Sequence, residues 1–372
     1  MIFVTIAAYR DPELWPTVEH ALSTAAHPNE LQFAICLQES EDKLGLPAHL
    51  PADQIELISV PYHESKGCCW ARAELQKLYR GQEFTLQLDS HHRFVEGWDA
   101  ILIEMLLSLE RDHPKVMVTS YLPPYLPEQW PAEQAKASKA PCKIVATRFS
   151  EDWSTVQFAP RYFSADAPLR TAFFSAHFFF CRGTFHREIA YDPQIYFTGE
   201  EDTLAQRLFT RGWQLFAPHR TLAYHHYTRA QRAKHWEDNG EWWRLNAVAL
   251  DRVDAVLEGE QSRVGCGARP VEEYWQFAGV NYALQTIQPW AAHGYCALHV
   301  SQTPTDLWVH SEGYFQKRGD EWVENNRCRF EQRAFDRDTV LYDEARDVTL
   351  TLTSEACIYK SEVLYRGCWI KR

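Results

Sequence analysis

Apolar and polar positions along the first third of the chain alternate in two rhythms. Ile2–Ala8 is an apolar, β-rich run of the kind that forms a buried strand. Asp11-Pro12-Glu13 follows as a helix start, with proline early and acids in the first turn, and this helix is expected to run to about His27-Pro28. Leu31–Leu37 and Ile55–Val60 read as the second and third strands, Gly67–Tyr79 as a helix, and Phe84–Leu88 as a fourth strand. The next helix, Trp98–Leu109, carries Ile101, Leu102, Met105, Leu106 and Leu109 at helical spacing, and Val116–Ser120 is a strand again. Strands and helices joined by short connections predict a mostly parallel sheet covered by helices, an α/β fold.

After position 120 the rhythm weakens. Residues 121–170 are rich in Pro, Trp and Ala, with one strand expected at Lys143–Arg148; such an insertion is where acceptor-binding loops would sit. Thr171–Cys181 is a strongly apolar strand, Gly199–Arg211 a helix, Trp213–Ala217 a short strand and Thr221–Tyr227 an extended segment. The helix Glu241–Leu257 closes a main domain of residues 1–257. The Gly-, Glu- and Arg-rich stretch 258–270 reads as a linker, and the short alternating runs of 271–372 as a small all-β domain.

Composition narrows the classes of function. With 372 residues, 45% hydrophobic and 14% aromatic, the chain can bury a sizeable core and is not globally disordered. A net charge of −12 argues against non-specific binding to nucleic acid or an anionic membrane, and no apolar run is long enough to span one. The N-terminus reads as a first strand rather than a signal peptide. Ten cysteines include no CxxC pair, which argues against a zinc ribbon. Reduced thiols and a cytoplasmic location are expected.

Candidate chemistry gathers at one sheet edge. Asp89-Ser90-His91 ends the Phe84–Leu88 strand at its carboxyl edge, where open α/β sheets bind ligands. Residues two apart in an extended chain point the same way, so a carboxylate and an imidazole can reach one ion. The pair is half a site for Mn²⁺, which accepts mixed oxygen and imidazole donors. It also resembles the metal motif of nucleotide-sugar glycosyltransferases. Of the later histidines, His225-His226 is best placed to supply a third ligand; only one strand neighbour can face the cleft, and His225 is favoured over His226. His92 and Arg93 are placed to support these ligands.

The first strand brings Thr5, Ala7, Tyr9 and Arg10 to the same edge. Small residues there admit a planar base, and Tyr9 or Arg10 can stack or hydrogen-bond; the plain alternative is a strand-to-helix turn capped by Asp11. Gly67 opens a helix whose N-terminus attracts an anion, and Arg72 either reaches a phosphate or uracil or lies on a solvated face. Glu200, Glu201 and Asp202 fill a first helical turn. Acids there complement the helix dipole, unless one of them faces the sugar or acceptor hydroxyl.

Several of these segments, in order, resemble one family. They are Phe3–Arg10 with Asp11-Pro12, Gly67 with Ala71-Arg72, and Gln87–His91 with Arg93-Phe94. Tyr191-Asp192-Pro193, Gly199-Glu200-Glu201, Arg207–Gly212 and Tyr224-His225 complete the set. The chain looks like the N-acetylglucosaminyltransferases that modify hydroxyproline on a cytoplasmic ubiquitin-ligase adaptor in protists, and like their bacterial relatives. It is more distantly similar to polypeptide GalNAc-transferases. The resemblance covers roughly residues 1–257. It implies a GT-A fold, UDP-GlcNAc as donor, Mn²⁺ or Mg²⁺ as cofactor, and α-retaining transfer to a hydroxyl of a protein, peptide or glycan. It makes Asp89, His91 and His225 metal ligands; Thr5, Tyr9 and Arg72 nucleotide contacts; and Glu200 or Glu201 a sugar or acceptor contact.

Two other classes compete. A metal-dependent hydrolase would use Asp89, His91 and His225, but such sites usually add a second ligand cluster, and the sequence offers none. A carbohydrate-binding or adaptor protein would work through the aromatic-rich C-terminal region, with the rest as scaffold.

Overall fold

The computed structural model describes residues 1–131, 140–151, 154–228 and 232–297. It also describes 307–310, 313–318, 321–324, 328–335, 339–343, 346–352, 356–360 and 362–370. In chain order the first elements are β1 (Ile2–Tyr9), α1 (Leu14–Thr24), β2 (Leu31–Glu39), β3 (Ile55–Pro61), α2 (Cys68–Gln76) and β4 (Phe84–Leu88). There follow β5 (His92–Phe94), α3 (Trp98–Glu110), β6 (Val116–Thr119), β7 (Cys142–Phe149), β8 (Val156–Tyr162), β9 (Leu169–Thr171) and β10 (Phe178–Arg182). Then come α4 (Phe185–Glu188), α5 (Glu200–Thr210), β11 (Gln214–Ala217), β12 (Ala223–His225), α6 (His235–Asp238), α7 (Trp242–Leu257) and α8 (Val271–Ala278).

Eight strands form one mixed sheet in the order β3-β2-β1-β4-β10-β6-β11-β9. β1 to β4 are mutually parallel where they touch, and β10 runs antiparallel between β4 and β6. Both faces are covered. Ile2, Val4 and Ile6 of β1 join Val18 of α1 and Leu102 and Leu106 of α3 in one core, while Phe3 packs with Ala71 and Leu75 of α2 on the other face. Burial on both sides is why β1 and β2 read as largely apolar runs. The expected α/β architecture and the all-β region at the C-terminus are both present, and the strand order with its one reversed inner strand is the GT-A arrangement.

The structure changes three expectations. Thr171–Cys181 is not one strand: β9 pairs with β11 at the sheet's edge, whereas β10 lies at its centre, so residues 172–177 must cross between them. Phe173 and Phe174 are buried on that crossing, which is why hydropathy alone could not reveal the break. The stretch 258–270 does not behave as a linker, because Cys266 is buried and Arg211 donates to the Ser262 and Gly265 carbonyls. Nor does the β region begin at 271. Tyr274, Ala278 and the strand β13 (Val280–Asn281) with β14 (Thr286–Ile287) belong to the main core, and Tyr282 Oη donates to Asp202 at 3.0 Å. From β15 (Leu307–His310) to β22 (Glu362–Ile370) the chain forms a closed eight-stranded antiparallel barrel around Trp308, Phe315, Trp322, Phe330 and Leu341. Among the described residues, no helix is long and apolar enough to cross a membrane.

Candidate active site

The carboxyl ends of β1 and β4 meet the start of β10 at one edge of the sheet. Asp89 leaves β4 there, its amide donating to His177 O at 3.3 Å. The short strand β5 then pairs antiparallel with β12, opposing His92 to His225. This ladder carries His225 across to the Asp-x-His. Ligand atoms of Asp89, His91 and His225 lie within 4.8 Å of one another. His91 Nε2 is 3.7 Å and His225 Nε2 3.6 Å from Asp89 Oδ2. His226 turns the other way, beside Tyr125, so the cluster uses the first histidine of the pair.

Supporting contacts orient these groups. His91 Nδ1 donates to Asp11 Oδ2 at 2.7 Å, which leaves Nε2 facing Asp89. Asp11 is thus more than a cap: Oδ1 accepts from Glu13 N at 2.9 Å while Oδ2 serves His91 and Ser90. Burial works to raise the Asp11 carboxyl, but the hydrogen bond and charge of His91 outweigh it and hold it low. Of the expected supporters, His92 Nδ1 donates to the Asp89 carbonyl at 3.1 Å, whereas Arg93 is tied to Glu13 at 2.6 Å. Both ring nitrogens of His225 are buried without a hydrogen-bond partner, and burial pushes that imidazole toward its neutral form. An unpaired neutral imidazole beside an ionised carboxylate and a tautomer-locked histidine fits a divalent cation.

Arg72 is not on a solvated face. It is buried, and donates from Nη2 to Asp89 Oδ1 at 2.7 Å and from Nη1 to Glu200 Oε1. The Asp89 carboxyl, which burial alone would raise, is held well below its usual range by His225 and Arg72. Gly67 has φ +106°, and a Cβ there would meet Tyr196 at 2.8 Å, so its close backbone approach is to a side chain of this protein. Gly199, at φ +86°, lets Val253 of α7 sit against the start of α5.

The three acids of α5 diverge. Glu200 faces Arg72. Glu201 accepts from Tyr121 Oη and from Ala176 N at 2.9 Å, and burial raises its carboxyl to about 8. Asp202 accepts from Val156 N at 2.9 Å and Tyr282 Oη at 3.0 Å, and burial raises it to about 7.

Asp11, Arg72, Asp89, His91, His225 and the three acids of α5 border a cleft of about 770 Å³. Ala7, Tyr9, Gln38, Ser65, Tyr196 and His235 line the end near β1. Thr5 and Arg10 do not line it. Thr5 lies inside the sheet, and Arg10, in a left-handed conformation at φ 46°, stacks on Tyr62 and pairs with Asp238 at 2.7 Å. Tyr9 stays in the wall, its hydroxyl also donating to Asp238. Thr155–Pro160 at β8, Phe197 and Trp236 also border the cleft. His177 and Arg232 also line the cleft, and no local sequence signal marked either. His177 stacks on His225 with centroids 4.2 Å apart, and burial lowers its imidazole to about 4.

The mixed sheet thus carries an Asp-His-His cluster and a cleft at its carboxyl edge, where open α/β sheets bind ligands. Residues 1–50 and 43–284 match the model of the family described as Glycosyltransferase (GlcNAc), and the chain belongs to that family. No curated protein matches the sequence. Among solved structures, the chain is similar to GalNAc-T7 crystallised with UDP, GalNAc and Mn²⁺, at 11% identity over 99% of this chain and 79% of that one, TM-score 0.47. S. aureus TarS 1–349 in complex with UDP-GlcNAc is similar at 14% identity over 71% of this chain and 68% of that one, TM-score 0.37.

Proposed function

We propose that this glycosyltransferase moves GlcNAc from UDP-GlcNAc to an acceptor hydroxyl on a polypeptide, with a divalent cation and retention at the anomeric carbon. The observation that carries this reading is the convergence of Asp89, His91 and His225, with His225 unpaired and Asp11 fixing His91. These three residues hold Mn²⁺ or Mg²⁺, which when bound offsets the charge of the leaving diphosphate. Asp11 keeps the His91 proton on Nδ1, and Arg72 keeps Asp89 ionised and in place. Ala7, Tyr9 and Gln38 seat the nucleoside, and the Arg72 side of the cleft faces the phosphates.

Glu200, Glu201 and Asp202 each already serve an internal partner, so none is a free nucleophile for a covalent sugar intermediate. Transfer then occurs on one face of the sugar. The anomeric carbon–phosphate oxygen bond breaks, the carbon–acceptor oxygen bond forms, and a leaving diphosphate oxygen takes the acceptor proton. Glu201, the half-buried acid of the three, is the contact for a sugar or acceptor hydroxyl. The wall from Thr155 to Pro160 with Phe197 and Trp236 offers backbone and aromatic surface to an extended acceptor. A cytoplasmic setting is supported by eight free cysteines among the described residues.

The test is Asp89→Ala with UDP-GlcNAc and Mn²⁺. Hydrolysis and transfer should be lost, and UDP should bind no better with Mn²⁺ than without. Full activity in that variant would sink the metal assignment. A parent protein indifferent to UDP and Mn²⁺ would favour the adaptor reading.

A further inference from the structure

Besides Arg72 on Asp89, a second cation lies directly on the candidate metal cluster. Arg232 Nη1 lies along the edge of the His91 ring, 2.7 Å from Nε2, the nitrogen that faces Asp89, and 2.5 Å from Nδ1, and it is 3.4 Å from Asp11 Oδ2. Its Nη2 donates to the carbonyls of His226 at 3.0 Å and Thr228 at 3.1 Å, while its Nε is buried without a partner. A guanidinium is permanently charged and offers no lone pair, so it cannot share a ligand nitrogen with a metal ion. Side-chain exposure is only 11%, so little water screens it from the cluster.

The charges around the cluster sharpen this. Asp11, Asp89 and Glu200 supply the nearby carboxylates, and Arg72 offsets one of them. The remainder balances a divalent cation only when the Arg232 charge is elsewhere. With Arg232 in place, the cluster is left about one negative charge to offer an ion.

We infer that Arg232 competes with the divalent cation for the His91 side of the cluster and thereby couples metal binding to nucleotide binding. A nucleoside diphosphate entering the cleft brings the negative charge that gives the displaced guanidinium a new partner. Metal and nucleotide then each strengthen the other's binding, and the protein alone holds the metal weakly. Linkage requires the effect to be reciprocal. This inference rests on the metal reading above, but its failure can be told apart from the failure of that reading.

The experiment is titration of Mn²⁺, followed by the loss of the free-ion electron paramagnetic resonance signal, into the parent, Arg232→Gln and Arg232→Lys, each with and without UDP. Thermal transitions measured alongside confirm folding. Without UDP, Arg232→Gln should bind Mn²⁺ about fivefold or more tightly than the parent, because a coupling of this kind is typically worth about 5–150-fold. UDP should then improve its Mn²⁺ affinity by a correspondingly smaller factor, while Arg232→Lys, which keeps the charge, stays near the parent. UDP itself can ligate the ion, so the reduced enhancement in Arg232→Gln is the decisive quantity. Unchanged or weaker Mn²⁺ binding by Arg232→Gln without UDP overturns the inference and leaves the metal site standing. A parent whose Mn²⁺ affinity UDP does not change overturns it without any variant. No Mn²⁺ binding by the parent in either condition overturns the metal reading and this inference with it.

Discussion

Asp11→Asn probes the contact that holds the His91 proton on Nδ1. Asp11 Oδ2 accepts from His91 Nδ1 and from Ser90 Oγ, each at 2.7 Å, and Oδ1 accepts from Glu13 N at 2.9 Å. Asparagine has nearly the same shape but only one acceptor oxygen. If that oxygen stays on Glu13 N, the amide NH₂ faces His91 Nδ1, and two donors cannot share a hydrogen bond. The ring then moves its proton to Nε2, the nitrogen needed for the ion. If the amide flips, the Glu13 N–H loses its acceptor instead, at about 1–3 kcal/mol where the group is buried. Loss of such an outer partner typically costs about 10–100-fold in metal affinity, or about 1.4–2.7 kcal/mol. Calorimetric titration of Mn²⁺ at saturating UDP, with a thermal transition recorded for each protein, measures both quantities. The Mn²⁺ dissociation constant should rise by that factor while the variant still folds. A folded Asp11→Asn protein that binds Mn²⁺ within about twofold of the parent would refute the reasoning.

The pair His225-His226 gives a paired test. His225→Ala should abolish UDP-dependent Mn²⁺ binding, whereas His226→Ala, which leaves the cluster intact, should keep it; the reverse result would move the third ligand by one residue. Glu201 gives a pH test. Its carboxyl titrates near 4.5 when unfolded and about 8 when folded, so the folded state binds more protons in that window and stability falls as pH rises through it. Glu201→Gln removes this titration, so its Tm relative to the parent should climb between about pH 5 and about pH 8, and a pH-independent difference would contradict the burial argument.

Much of the fold was legible because the relevant strands are buried on both faces. β1, β2 and β4 show as apolar-rich runs, broken only by Thr5, Gln32, Thr85 and Gln87 before their polar ends, and the Asp-x-His follows the last of them. The same property hid the crossing at 172–177, since buried loop and buried strand are equally apolar. The supporting contacts were illegible for another reason. Asp11 and His91 are 80 residues apart, and a helix-start aspartate looks the same whether or not its second oxygen holds a ligand. The two carboxylate ties of Arg72 could not be read from its surroundings in the chain, because its partners lie 17 and 128 residues away. Arg10 misled because a left-handed backbone angle, which no residue pattern announced, swings it toward Tyr62 and Asp238.

The doubled histidine shows how local ambiguity is removed by pairing rather than by the histidines themselves. A one-residue slip in a strand exchanges the faces of every side chain, so sequence alone left His225 and His226 interchangeable but for position. In the fold the segment is pinned on both sides. His225 N donates to Pro123 O at 2.9 Å, Tyr125 N to His225 O at 3.2 Å, and His226 N to His91 O at 3.1 Å. The last of these bonds ties the ladder to the backbone of a ligand residue itself. A slip of β12 would therefore break contacts to two separate segments and also carry His225 out of its stack with His177. The precision of the cluster thus comes from a ladder only three residues long, held by neighbours that are remote in sequence, and its geometry should tolerate changes at His226 far better than changes at Pro123–Tyr125.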